Sequence, residues 1–215
     1  LGKLGRLGNQ MFQLASSVGI AAKNSTFADF PNWEYRNYFK HQISTDDFKP
    51  YNTQIKEREF CYNEISLPCM GNYDLHGYFQ SAKYWRGYEK QIRTMFEFTD
   101  ELTNKCNELL PNNGKQNIAI HIRRGDYVGN PSHYNLSIRY YLNALNCFDW
   151  KNYNLCIFSD DLQFAKWHFS CLPNAHFIHG TEIEDLCTMA LCDHFIIANS
   201  SFSWWGAYLS NNIGK

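Results

Sequence analysis

The stretch Asn117-Ile118-Ala119-Ile120-His121-Ile122-Arg123-Arg124-Gly125-Asp126-Tyr127 decides the fold of this 215-residue chain. A short run of β-branched and apolar residues reads as a strand buried on both faces. Its abrupt end in two arginines, a glycine and an aspartate reads as the loop at that strand's carboxyl end. Outward from it the pattern repeats, with a helix over 137–148, a strand over 155–158, a helix over 161–170, a strand over 175–178, a helix over 182–192, a strand over 194–198 and a helix over 202–211. Short apolar strands alternating with helices predict a parallel sheet in a doubly wound α/β domain.

In the other direction, Leu110-Pro111-Asn112-Asn113-Gly114 is the strongest turn cluster in the chain and divides 1–111 from 112–215. Before it lie two predicted helices, 83–97 and 99–110, and the aromatic run His76-Gly77-Tyr78-Phe79-Gln80-Ser81-Ala82-Lys83-Tyr84-Trp85. Residues 27–75 show no sustained period and read as loop-rich. The chain opens on Gly5-Arg6-Leu7-Gly8-Asn9-Gln10, a glycine-rich loop that feeds a helix marked by Met11, Leu14, Ala15 and Val18. This loop is neither GxGxxG nor a P-loop, so it offers only close backbone approach at a helix start and the side-chain amide of Asn9.

Composition narrows the function classes. Lys+Arg 20 against Asp+Glu 21 gives a net charge of −1, without the field by which a nucleic-acid binder releases counterions. An anionic ligand would need a local cluster. Hydrophobic residues at 44% exclude a disordered chain. The eight cysteines contain no CxxC and no zinc-ligand spacing, which favours reduced core thiols over a disulfide framework. No stretch approaches the roughly 20 apolar residues of a membrane span. The chain begins at Leu1 and reads as trimmed.

In parallel sheets ligands bind outside the carboxyl ends of the strands, and every conspicuous polar cluster falls at such an end. Arg123 and Arg124 present planar forks suited to a diphosphate, against the alternative of a surface ion pair with Asp126. Ser159-Asp160-Asp161 could cap the next helix, touch a ribose or ligate a metal; without a third carboxylate, capping or a ribose contact is favoured and no metal is expected. Asn199-Ser200-Ser201-Phe202-Ser203 precedes a helix, where free N–H groups favour anions, and Ser200 or Ser201 could equally serve as a plain N-cap. His121 reads as a core residue raised in interest by its neighbour Arg123.

Taken together, GRLGNQMFQLA (5–15), HGYFQSAKYW (76–85), HIRRGDY (121–127), SDD (159–161) and NSSFSWWGA (199–207) closely resemble the α-1,2-fucosyltransferases of glycosyltransferase family 11. The resemblance implies a GT-B-like α/β fold of two Rossmann-like halves with parallel sheets, the donor half being carboxyl-terminal. It implies metal-independent, inverting transfer of L-fucose from GDP-fucose to the 2-hydroxyl of a terminal galactose. Alternatives are α-1,6 or protein O-fucosylation, or a non-catalytic GDP-sugar or glycan binder. On the family pattern Arg123 and Arg124 bind the diphosphate, and Asn9, beside Gly8, reaches the same phosphate from the first half. His121 faces the nucleotide, Asp160 contributes to the donor site, and Ser200, Ser201, Phe202 and Ser203 cradle phosphate and base. Asp185 is the candidate reader of guanine. Asp126 is the candidate base, or else only orients an arginine. The expected partners are GDP-fucose and a galactose-terminated glycan, with no nucleic acid and no cofactor. Peripheral membrane association in a bacterial cytoplasm is favoured over a Golgi lumenal domain, and the aromatics Trp33, Tyr35, Tyr38, Tyr78, Phe79, Tyr84 and Trp85 are candidates for sugar contact.

Overall fold

A computed structural model describes residues 4–41, 43, 50–68 and 71–211. The chain divides into two compact units, residues 1–99 and 100–215.

In the first unit, α1 (Leu7–Lys23) forms where Leu7, Met11, Leu14 and Ala15 fall on one buried face. The helix begins earlier than the sequence predicts, so Gly8 and Asn9 lie inside its first turn rather than in a preceding loop. The side-chain amides of Gln10 and Gln13 donate to the carbonyls of Gly5 (3.2 Å) and Leu4 (2.9 Å), tying the entering chain to the helix. The loop-rich segment contains two short parallel strands, β1 (Thr53–Lys56) and β2 (Tyr73–His76). The predicted helix over 83–97 is a 3₁₀ turn, Ala82–Trp85, followed by α2 (Glu89–Met95). The break falls at Gly87, whose φ of 90° no β-carbon tolerates well. Trp33, Phe39, Trp85 and Phe96 fill this unit's core.

In the second unit, α3 (Asp100–Asn107) buries Leu102 and Cys106, and packs against a helix far along the chain, α6 below. That packing moves the division between units ahead of the Pro111–Gly114 turn. After it come β3 (Asn117–Ile122), α4 (Ile138–Leu145), β4 (Asn154–Ser159), α5 (Leu162–Phe169), β5 (Ala175–Ile178), α6 (Glu182–Ala190), β6 (His194–Ile196) and α7 (Ser201–Leu209). All four strands are parallel in the order β5-β4-β3-β6. The two faces of β3 are covered differently. Ile118, Ile120 and Ile122 pack with Leu155 and Ile157 under Tyr141 and Leu145 of α4 and Ala165 and Phe169 of α5. Ala119 packs with Cys156 and Phe158 under Met189 of α6 and Phe202 of α7. Each fully buried Ile or Leu contributes about 1.5–3 kcal/mol, which is why this sheet reads as nearly continuous apolar runs.

Among the described residues no helix is long and apolar enough to cross a membrane. Seven cysteines are free thiols, four of them buried; Cys69 and residues 1–3 lie outside the described residues.

Candidate functional site

Because its four strands are parallel, the carboxyl-terminal unit presents all their carboxyl ends along one edge. The chain leaves β3 for β4 on one side, and later returns from β5 to β6 on the other side of β3. The strand order therefore reverses between β3 and β6, the place where open α/β sheets open a crevice for ligands.

Arg123 and Arg124 leave β3 at that point, and three aspartates hold them. The Arg123 guanidinium donates to Asp160 Oδ2 (2.5 Å) and to Asp126 Oδ1, bridging the loops after β4 and β3. Asp160 Oδ1 also accepts the backbone N–H of Arg124 (2.8 Å), so this carboxylate pins both arginines. Arg124 Nε donates to Asp161 Oδ2 (3.1 Å), and its guanidinium lies 3.7 Å from the ring centre of Phe164. The Asp161 carboxyl is held below the usual range, first by the Phe164 N–H bonded to it and then by Arg124. A β-carbon at Gly125 would come within 2.5 Å of Asp160 Oδ2, so the close approach of the two loops needs glycine there. The arginine side chains are 14% and 20% exposed and face three carboxylates, which makes the cluster nearly neutral rather than the concentrated positive site that the sequence suggests.

The β6–α7 turn closes the other side. Ser200 caps α7 by accepting the Phe202 N–H (3.3 Å). Ser201 is the first helical residue. Ser203 is fully enclosed and its hydroxyl donates to the carbonyls of Ala198 and Ser200 (both 3.3 Å), so its side chain shapes the turn. Three bonds tie this turn to the β3–α4 segment: Tyr127 Oη to Asn199 O (3.1 Å), Tyr140 Oη to Ile197 O (2.8 Å) and Asn199 Nδ2 to Tyr134 O (2.9 Å).

His121 is 6% exposed and lies 5.4 Å, ring centre to ring centre, from Phe202. Burial pulls its pKa down to about 4, so the imidazole is neutral at physiological pH, and its Nδ1 is buried without a hydrogen-bond partner. Asp185, in the first turn of α6, accepts the Gly180 N–H through Oδ1 (2.8 Å), which places it at the carboxyl end of β5. Burial pushes its carboxyl up to about 6. Thr181 and Glu184 form a capping box on the same helix.

The structure thus brings Arg123, Arg124, Asp126 and Asp160 into one bonded cluster. It sets His121, Ser200, Ser201, Phe202 and Ser203 at the β3–β6 side of the same edge, and Asp185 at its far strand. Asp161 takes the capping role through Phe164 N–H (3.0 Å). Asn9 and Gly8 belong to the other unit, where Asn9 Oδ1 accepts from Gln80 Nε2 (2.6 Å). Residues the sequence reading passed over include Phe164, Tyr140 and Tyr141. The buried Tyr141 hydroxyl lacks a partner and is close enough to Asp160 and Arg124 to feel their charge. Its signal was hidden in an ordinary amphipathic helix. Among the described residues no group of three His, Cys, Asp or Glu side chains is arranged to hold a metal ion.

The sequence profile described as glycosyl transferase family 11 matches residues 22–214. The O-antigen biosynthesis glycosyltransferase WbnK of Escherichia coli is 33% identical over 75% of this chain, which spans 58% of that relative's length. An alpha-1,2-colitosyltransferase of E. coli is 28% identical over 96% of this chain and 86% of its own. Galactoside alpha-(1,2)-fucosyltransferase 2 of Pongo pygmaeus is 25% identical over 96% of this chain and 67% of its own. In fold, the chain is similar to the fucosyltransferase NodZ from Bradyrhizobium, with a TM-score of 0.61 at 12% identity over 94% of this chain and 90% of that one. The architecture is therefore α/β of the GT-B type, as the resemblance implied.

Proposed function

The chain belongs to glycosyltransferase family 11, and from that premise we propose that it moves L-fucose from GDP-fucose to the 2-hydroxyl of a terminal galactose, with inversion. The two relatives named for α-1,2 transfer support the linkage. The observation that carries the reading is the pair of guanidinium groups held by aspartates at the β3–β6 switch point.

In this reading the acceptor oxygen attacks the fucose anomeric carbon as the bond to the β-phosphate oxygen breaks, and negative charge collects on the departing GDP. Arg123 and Arg124, with N–H groups at the start of α7 near Ser200 and Ser201, stabilise that charge electrostatically; each such donor contributes about 10²–10³ in rate. No metal is invoked. Phe202 and His121 line the nucleotide side, and Asp185 accepts the paired N–H donors of guanine. Asp126 takes the acceptor proton. Its side chain is 57% exposed, against 24% for Asp160 and 34% for Asp161, so it is the carboxylate of the cluster most open to an incoming hydroxyl. Asp160 acts by positioning the arginines.

A second reading is favoured by the colitosyltransferase, whose match covers nearly the whole chain: the sugar transferred is colitose, with the same linkage. The test is incubation with GDP-fucose, or GDP-activated colitose, and a galactose-terminated disaccharide in the presence of a chelator, following GDP release and the product linkage by NMR. The donor that yields acceptor-dependent GDP release and a 1→2 linkage is the substrate. No release from either donor, with or without added manganese, removes the transfer reading.

A further inference from the structure

The amino-terminal unit has its own carboxyl sheet edge, where the parallel pair β1–β2 delivers residues that the donor chemistry leaves unused. Glu57 follows β1 directly. Its carboxylate accepts the backbone N–H of Tyr78 through Oε2 (2.7 Å) and of Phe79 through Oε1 (3.0 Å), in the turn that follows β2. Each carboxylate oxygen carries two lone pairs, so one acceptor position on each is left for a ligand.

The turn itself is strained. Phe79 sits at φ 49°, a left-handed conformation that a bulky residue rarely adopts. It is pinned on both sides of its backbone, by Glu57 at the N–H and by the Ser16 hydroxyl, which donates to its carbonyl (2.8 Å). Its ring is buried edge-on against Tyr84, with centres 5.6 Å apart. With Phe79 locked inward, Tyr78 is left half-buried and stacks with Phe60, ring centres 6.4 Å apart and planes 26° from parallel. Phe60 is 88% exposed.

The structure sorts the aromatic candidates of this unit. Trp33, Phe79, Tyr84 and Trp85 are at most 3% exposed and serve the core. Phe60, which the sequence reading passed over, presents a nearly bare ring within reach of a fixed carboxylate. We propose that Phe60, Tyr78 and Glu57 form a subsite for a pyranose ring of the acceptor glycan; calling that sugar the acceptor rests on the transfer reading. The C–H face of a galactose ring lies on Phe60 and the open part of Tyr78, and its hydroxyls donate to the remaining acceptor positions of Glu57. Phe60 and the half-buried Tyr78, flanked by exposed Arg58, Glu59, Asn63 and Glu64, are too small an apolar area for a protein interface. An apolar face beside a hydroxyl acceptor is instead the complement of a sugar, which carries both kinds of surface on one small molecule.

The test titrates the full chain with methyl β-galactopyranoside by saturation-transfer NMR without donor, with GDP binding measured in parallel by calorimetry. Phe60→Ala removes an exposed ring and leaves the fold intact. It is expected to weaken galactoside binding about tenfold, with Phe60→Trp restoring it and GDP binding unchanged in both. Galactoside binding of equal strength in Phe60→Ala, or none to the wild type, overturns the subsite. Absence of GDP-sugar turnover alongside intact, Phe60-dependent galactoside binding would remove the transfer reading and leave the subsite standing.

Discussion

Arg124→Ala separates the structural and chemical parts of the arginine cluster, because the two can be sized independently. The side chain makes one partly exposed ion pair, to Asp161 at 3.1 Å, and one cation–π contact, to Phe164 at 3.7 Å. An exposed pair is worth about 0.2–1 kcal/mol and a cation–π contact about 0.5–1 kcal/mol, so truncation costs roughly 1–2 kcal/mol of stability. For a chain of this size that lowers Tm by about 2–8 °C. Against a typical stability of about 5–15 kcal/mol, the variant stays folded at 25 °C. If Arg124 stabilises charge on the departing GDP, turnover falls by about 10²–10³ at the same temperature, far more than partial unfolding could produce. Circular dichroism melting and a GDP-release assay at 25 °C read the two quantities on one preparation. Arg124→Lys keeps the charge but loses the planar fork, and should fall between. A variant whose Tm drops as calculated while its turnover stays within threefold of wild type would refute the catalytic role and leave Arg124 as a packing residue.

Asp126→Asn is expected to lose transfer while GDP affinity holds or rises, because a carboxylate competing for Arg123 is neutralised; an equal fall in both would make Asp126 an orienting partner of Arg123 instead of the base. Burial raises Asp185 to about 6, so as pH rises from about 4 to 6 the unfolded chain gives up this proton first and the folded chain loses stability. Guanine recognition needs the carboxylate, so GDP affinity moves the other way, about tenfold weaker at pH 5 than at pH 7.5, and Asp185→Asn should bind weakly with no such pH dependence; calorimetry at the two pH values decides it. Of the described thiols, exposed Cys61, Cys147 and Cys171 should react with a thiol reagent in the native protein, and buried Cys106, Cys156, Cys187 and Cys192 only after unfolding. Fast native labelling of the second group would contradict the packing of α3 and α6 and of β4 beneath α6.

How far the chain could be read from residues alone follows from burial. The strands β3 and β4 are legible because both faces are covered, so Ile118–Ile122 and Leu155–Phe158 have little polar interruption. The strands β1 and β2, Thr-Gln-Ile-Lys and Tyr-Asp-Leu-His, are four residues each and only partly buried, so neither period nor apolar run betrays them. Likewise the arginine pair was legible as a strand-end loop, but its bonding to Asp160 and Asp161 joins residues 37 positions apart and has no local signature. Ser203 shows the opposite case. A serine in an apparently ligand-facing NSSFS run turns its hydroxyl to two carbonyls of its own turn, because a buried hydroxyl must be bonded and the nearest acceptors are local.

The near-neutral charge of the whole chain repeats at the scale of the cluster, and this shapes how an anion would be held. Two guanidinium groups facing three carboxylates project little field into solvent, so the donor would be recognised by directional bonds at contact distance rather than by long-range attraction. The carboxylates weaken anion binding, yet they fix each planar fork before the ligand arrives, which is what electrostatic catalysis requires. Their unequal exposure also imposes an order. Asp160 is the less exposed and carries a second bond from the Arg124 backbone, whereas Asp126 meets Arg123 from the solvent side. A diphosphate oxygen competing for Arg123 would therefore displace Asp126 first. Under the transfer reading, donor binding then loosens the hold of Arg123 on the carboxylate proposed to accept the acceptor's proton, so the donor and acceptor steps are coupled through one guanidinium.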